Sequence, residues 1–461
     1  MSTSPAALVP DPPRGPHAEP AGPLPPLGPN PFIGPYPFKR GDRLFGRRRE
    51  SRELYYLLSA ERIVWLHSPS GAGKTSLIWA GLAGMFERDG FRVCPPIRVN
   101  LDLPEDASAA GANPYLTSVL LSLKEGLPED RRRAPRALAE LGLPAYLEKR
   151  AAEARAAGRA GTLLVFDQFE EILTLRPMDR KGKEVFFQTL GEALRDDNLW
   201  ALFALREEYL PPLEPYVDWI PTRWTNTFRL DLLDERSVLE VLHRTAEQGG
   251  RTFVDDAAKG LFADLARTKV QQPDGSFRDV IGRFADPVQL QVVCLRLWNA
   301  MPEDDRKIDP DDLSRFGDVS SALGGYYADE VHKIAGQDPG LERRIRAWFG
   351  ERLITADGIR GQVRRGVDES DGLPNPVVDD LLDAHLIRAE QRAGSTWYEL
   401  AHDRLIQPVL ESNAAWLDAN LQPFQRQAAL WVRQGRHPSG GDQVLRGRTL
   451  NDALRFQKER P

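Results

Sequence analysis

The chain has 461 residues, too many for one ordinary core, and its 41% hydrophobic and 28% charged residues suit roughly two to four folded domains with a well-solvated surface. A formal net charge of −6 gives no global pull toward nucleic acid or an acidic membrane. Two distant cysteines, Cys94 and Cys294, exclude a disulfide framework and a cysteine-based zinc site, and no run of 18 apolar residues or basic-then-apolar N-terminus marks a span or secretory signal, so the expected compartment is the cytoplasm.

Residues 1–37 hold 13 of the 37 prolines. Such a stretch pairs little of its backbone, and residues 1–39 are expected to be a disordered or polyproline tail. Arg49 to Ser59 follows with a helical pattern. Arg62 to His67 is a short apolar run, read as a buried strand, and a Gly-rich turn leads from it into Lys74 to Glu87, where Leu77, Ile78, Leu82 and Phe86 recur at helical spacing. Phe91 to Val99 reads as a second strand interrupted by Pro95-Pro96, and residues 114–160 as mainly helix. Leu163 to Phe166 and Trp200 to Leu205 read as buried strands with the helix Glu184 to Arg195 between them, and Thr225 to Leu232 as a further strand. Apolar strands alternating with helices predict a parallel sheet covered on both faces.

Beyond Asp231 the pattern turns helical, broken by the loop Gln271 to Gly275. After further helices, Leu386 to Leu400 reads as two strands around Ala393-Gly394-Ser395, the texture of a winged helix. Residues 411–461 read as an amphipathic helix, a break at Gly440-Gly441 and a charged end. The predicted class is therefore α/β: a P-loop sheet domain (40–230), a helical lid (231–330), a winged-helix domain (331–415) and a C-terminal helical tail (416–461).

Ser68-Pro69-Ser70-Gly71-Ala72-Gly73-Lys74-Thr75 fits the phosphate-binding pattern GxxxxGK[ST] except at its first position. The glycines let consecutive amides of Ser70, Gly71, Ala72, Gly73, Lys74, Thr75 and Ser76 face phosphates, and the following helix adds its positive end. Lys74 is placed to reach the β- and γ-phosphates and Thr75 to ligate Mg²⁺. Ser68 stands where glycine is usual, and serine tolerates positive φ poorly. Leu163-Leu164-Val165-Phe166-Asp167 is four apolar residues ending in an acid, which would set Asp167 beside the P-loop to hold Mg²⁺. Either Glu170 or Glu171 could polarise an attacking water, the other capping the next helix. Arg206 ends another core strand and could meet the γ-phosphate, the alternative being a surface pair with Glu207 or Glu208.

Phe45-Gly46-Arg47 with Glu50, the P-loop, Asp167-Gln168-Phe169-Glu170-Glu171 and Leu205-Arg206, in this order, resemble the STAND NTPases (signal-transduction ATPases with numerous domains), and within them the bacterial novel STAND group. Asp286 to Cys294 resembles that group's helical-domain segment, and Leu400-Ala401-His402-Asp403 the His-Asp step of its winged helix. The resemblance covers about residues 40–420. It implies that Phe45, Gly46 and Arg47 lie near the adenine, that Pro287 contacts the nucleotide from the lid, and that His402 reaches the β-phosphate of ADP. The bland alternatives are core packing for Phe45, a helix start for Pro287 and a core histidine for His402. The resemblance further implies a switch rather than a fast enzyme: ADP locks the domains, and exchange for ATP opens them and drives self-assembly, in signal transduction or bacterial defence. The sensor and effector would be separate proteins or lie outside the sequence at hand.

Three other readings were weighed. Ser439-Gly440-Gly441-Asp442-Gln443 echoes an ABC signature but follows both phosphate motifs instead of lying between them. Arg360, Arg364, Arg365, Arg388 and Arg392 could make the winged helix a DNA reader in a nucleotide-regulated transcription factor, but acidic neighbours favour a solvated face, so nucleic acid is not the expected partner. A scaffold that binds nucleotide without hydrolysis is the third. The residues themselves leave ATP and GTP undivided; the family resemblance favours ATP/ADP.

Overall fold

Five short apolar segments lie side by side as one parallel sheet: β1 (Ile63–Ser68), β2 (Arg92–Ile97), β3 (Thr162–Phe166), β4 (Leu199–Arg206) and β5 (Thr227–Arg229), in the order β2-β3-β4-β1-β5. The structure is a computed structural model that describes residues 26–99, 101, 113–128, 132–174, 176, 178–271, 277–316, 319–355, 360–392, 395–401, 405–420, 424 and 445–459. Alternate side chains enter two different cores. Ile63, Trp65, Leu164, Phe166, Ala201 and Phe203 face one layer, and Val64, Leu66, Leu163, Val165, Leu202 and Ala204 face the other. Burial on both faces explains why these strands read as unbroken apolar runs. Phe203 is stacked between Trp65 (centroids 4.4 Å apart) and Phe166 (4.8 Å). In β2, the register shifts between Val93 and Pro96, where two prolines in succession withhold ladder donors.

The second unit is helical, as expected. Glu235–Gly249 starts on the side chain of Asp234, which accepts from the Ser237 amide, and ends at left-handed Gly250. Asp255–Leu265, Pro287–Ala300 and Val319–Ala335 follow. One correction applies here: Arg267–Gln271 and Phe277–Ile281 pair as an antiparallel ribbon inside the stretch read as helix. Val280 and Ile281 are exposed, so this ribbon lacks the one-sided burial that makes a strand legible. Its connecting residues 272–276 lie outside the described residues.

The third unit combines the helices Pro339–Trp348 and Asn375–Asp383 with a three-stranded antiparallel sheet, in which Ser395–Leu400 is central between Val363–Arg364 and Ile387–Arg392. The two long strands match the hairpin read from the sequence; Ala393 and Gly394, between them, lie outside the described residues, as do Gly440 and Gly441. The division at 330/331 falls inside Val319–Ala335, and that at 415/416 inside Ile406–Asn420. The second and third units also share one continuous apolar core, from Phe253 through Leu290 and Tyr327 to Leu381 and Val409. No described helix is long and apolar enough to cross a membrane.

Of the expected tail, residues 1–25 lie outside the described residues. Residues 26–38 are a strap, not a free peptide. Asn30 Nδ2 donates to Leu295 O and Asn299 Oδ1, both at 2.9 Å, and the Ile33 amide donates to Gln291 Oε1 at 3.1 Å. Phe32 is 1% exposed and meets Trp298 edge-on. At its other end the Phe38 amide donates to Ser76 Oγ on the P-loop helix at 3.1 Å. The prolines suppress regular pairing, but Phe32, Ile33 and Phe38 supply what a disordered segment lacks. Phe32→Ala is expected to cost about 3 kcal/mol in urea unfolding, as for other buried aromatics cut to alanine; an unchanged midpoint would show the strap to be passive.

Candidate functional site: a cleft walled by three units

The P-loop turn leaves β1 at Ser68 and enters the helix at Lys74. Gly71 (φ 78°) and Gly73 (φ 91°) take the left-handed conformations that only glycine adopts cheaply. The concern over Ser68 resolves simply. It is the last residue of β1, paired with Arg206, and takes no positive φ. Its hydroxyl accepts from Lys74 Nζ at 2.8 Å, so the atypical serine holds the lysine. Burial lowers the Lys74 ammonium from its ordinary value, with Glu170 opposing. The helix runs as Lys74–Ser76, a π-helical stretch Leu77–Leu82, and then Ala83–Arg88.

Asp167 follows the fully buried β3 and faces this turn. Its carboxylate accepts from Thr75 Oγ1 at 3.0 Å and from the amide of Gln168, which takes a positive φ of 55°. The structure separates the two glutamates. Glu170 is buried, lines the cleft and pairs through Oε1 with Arg206 Nε at 3.2 Å. Glu171 opens the short helix Glu171–Thr174 and pairs with Arg98 at 3.0 Å; burial pushes its carboxyl up to about 7. Arg206 is thus no surface arginine: it is 9% exposed, at the end of β4 between the two phosphate-motif strands.

The residues assigned to the base divide differently. Phe45 and Arg47 line the cleft, but Arg47 Nη2 donates to Ala72 O (3.0 Å) and Asp231 O (2.7 Å), bracing the P-loop. Gly46 does not itself line the cleft; a Cβ there would lie 2.7 Å from Ser237 O and from Cγ2 of Val241, a residue that does. Pro287 lines the cleft and is also the first residue of its helix, so both readings of it hold. Just before it, Asp286 accepts from the amides of Val288 (2.7 Å) and Gln289 (3.4 Å) and abuts Gly71, where a Cβ would come within 3.2 Å of Oδ2. Burial raises the Asp286 carboxyl to about 6.

His402 lies outside the described residues. The histidine that lines the cleft from the third unit is His385, at a positive φ of 53° in the turn after Asn375–Asp383. Burial, then Arg206 and Lys74, pull its imidazole down to about 4. Asp383 lines the cleft beside it. The strap closes another wall through Gly34 to Phe38. The cavity measures about 710 Å³, inside the roughly 300–1,000 Å³ usual for small-molecule sites. Three buried polar atoms on its lining residues have no hydrogen-bond partner: Glu170 Oε2, Arg206 Nη1 and His385 Nδ1. Such atoms are costly unless a ligand or water completes them. His385, Asp383 and the strap escaped the sequence reading because only the packing of distant segments brings them here; Asp286 was read only as the start of the segment that carries Pro287.

A glycine-rich turn between β1 and its helix, an acid at the end of β3 joined to the P-loop threonine, and a strand inserted between them define a P-loop NTPase. The family profile described as Novel STAND NTPase 1 matches residues 31–439, and the chain belongs to that family. No curated protein matches it. Among solved structures it is similar to a Walker-type ATPase of Pyrococcus abyssi (17% identity, 81% of this chain and 98% of that chain covered, TM-score 0.42). It is also similar to the ORC2 protein of Aeropyrum pernix in its ADP form (16%, 84% and 98%, 0.39) and to Cdc6p from Pyrobaculum aerophilum (14%, 84% and 98%, 0.36).

Asp286 supplies a pH test. Its folded-state pKa lies above the ordinary 3.8, so the folded protein gains stability from this group as pH falls through about 6, and carries a penalty above it. Asp286→Asn, which keeps a capping oxygen, is expected to raise stability at pH 7.5 by on the order of 1 kcal/mol. The gap should close near pH 4; thermal melts at both pH values read it, and an equal gap at each would refute the assignment.

Proposed function

We propose that the protein is an ATP/ADP-dependent switch that hydrolyses ATP slowly and uses nucleotide state to control opening and self-assembly. The observation that carries this reading is the three-sided cleft: Lys74, Thr75 and Asp167 come from the sheet unit, Pro287 from the helical unit, and His385 and Asp383 from the third, which we read as lid and winged helix. A ligand in such a cleft favours whichever arrangement it touches best, and shifts the equilibrium only by that difference. A diphosphate fits the closed arrangement, where the third unit already occupies the phosphate end. A γ-phosphate would compete with Asp383 for the neighbourhood of Arg206, which favours opening. His402 is proposed to join the same end from the segment after Leu400.

Thr75 and Asp167 would hold Mg²⁺, which when bound neutralises charge across the phosphate oxygens. They offer too few protein oxygens for a metal held without phosphate, and among the described residues no cluster of three or more His, Cys, Asp or Glu could hold one instead. Lys74 would bind the phosphate tail. Glu170 would orient the attacking water through Oε2, the oxygen without a partner, while Oε1 stays paired with Arg206. Glu171 points to Arg98 and is read as structural.

Glu170→Gln is expected to lower ATP turnover by about 100-fold, within the range for a lost general base, while Glu171→Gln stays within about threefold. Phosphate-release assays separate the two, and equal losses would remove the distinction. Light scattering should find a larger particle with a slowly hydrolysed ATP analogue than with ADP, a difference that Lys74→Ala abolishes. Identical mass in both nucleotides would sink the switch. Three of the five arginines weighed for DNA reading are paired with carboxylates, Arg360 and Arg388 with Glu399 and Arg365 with Asp379, which favours the switch over a DNA-binding role.

A further inference from the structure

A second cavity, of about 360 Å³, opens at the β2 edge of the sheet, on the far flank of the P-loop helix, and shares no lining residue with the nucleotide cleft. Three arginines, Arg40, Arg92 and Arg150, line it, and no carboxylate does. Arg40 pairs with Glu87 at 2.8 Å and lies over the Trp79 ring, its CZ 5.5 Å from the centroid. Arg150 is paired with Glu153 and its side chain is 12% exposed. Both partner carboxylates stand outside the cavity lining. Arg92 makes no ion pair among the described residues.

Two further lining residues carry hydroxyls with nothing to bond. Tyr146 is 5% exposed and Thr162 1% exposed, and neither oxygen has a hydrogen-bond partner. Buried unpaired hydroxyls are rare because each forfeits its bonds to water. The remaining walls are apolar, Trp79 and Leu147 among them. Three guanidinium groups, two buried hydroxyls without partners and an indole among the lining residues form a combination that suits an anionic head on a flat apolar body.

We infer that this cavity is a binding site for a small organic anion, a carboxylate or phosphate monoester on an aromatic or similarly apolar body, separate from the nucleotide site. Arginines recognise either head through paired N–H donors, so the two heads are distinguished by experiment. The full chain, saturated with ADP and Mg²⁺ to fill the P-loop, is titrated calorimetrically with phenyl phosphate and, separately, with benzoate. Saturable one-to-one binding of at least one probe is expected, and the better probe names the head group. Arg92→Gln and Arg150→Gln should each weaken it by about tenfold, equivalent to about 1.4 kcal/mol. Tyr146→Phe, which removes only the hydroxyl, should weaken it measurably with ADP affinity unchanged, and stands in if an arginine variant does not fold. Lys74→Ala should leave probe binding intact. Absence of saturable heat with both probes, wild-type affinity in all three cavity variants, or loss of binding in Lys74→Ala would each overturn the site.

Discussion

The placement of β4 between β1 and β3 is the constraint on which the site depends. It separates the strand that launches the P-loop from the strand that ends in Asp167, and the carboxyl end of the strand between them delivers Arg206 into the gap. Ligands of open parallel sheets gather at such carboxyl ends. With β1 and β3 adjacent, no strand end would lie between lysine and acid, and the Glu170–Arg206 pair could not form where it does. The strand order rests in turn on continuous apolar runs with two buried faces, because only such runs tolerate a central position in a sheet covered on both sides.

A second theme is that charges here are buried in groups. Lys74, Arg206, Glu170 and Asp167 all line the cleft, and the last three are buried. Isolated, any of them would be costly; together they offset one another, and the atoms left without partners mark where the compensation is incomplete. Partial burial also pushes the Asp286 and Glu171 carboxyls up, to about 6 and 7.

What could be read from the sequence was what is local. Ser70 to Thr75, Asp167 and Arg206 were legible because strand, turn and helix follow within a few residues and leave a periodic trace. The Glu170–Glu171 ambiguity was not resolvable that way, since adjacent residues in a turn point apart only once the turn is built. The strap was misjudged because prolines dominate its composition while three apolar side chains decide its fate. His385 gave no sign at all: nothing near it in sequence resembles a phosphate site, and only the packing of Ile387–Arg392 beside Glu207–Tyr209, just past Arg206, brings it there. The unit boundaries at 330 and 415 failed for a related reason, since both fall inside helices whose apolar pattern continues without a break.

The shared core of the helical and third units has a mechanical corollary. With apolar packing running unbroken from Phe32 and Leu290 to Val409, those two units have little freedom to part from each other, and the molecule is better pictured as two bodies than three. Among the described residues, the chain crosses between these bodies in the stretch from Ile33 to Phe38 and in the stretch from Leu230 to Leu233. In the opening proposed above, these two stretches would serve as the attachments, and loosening either would widen the directions in which the sheet body can turn its inner face.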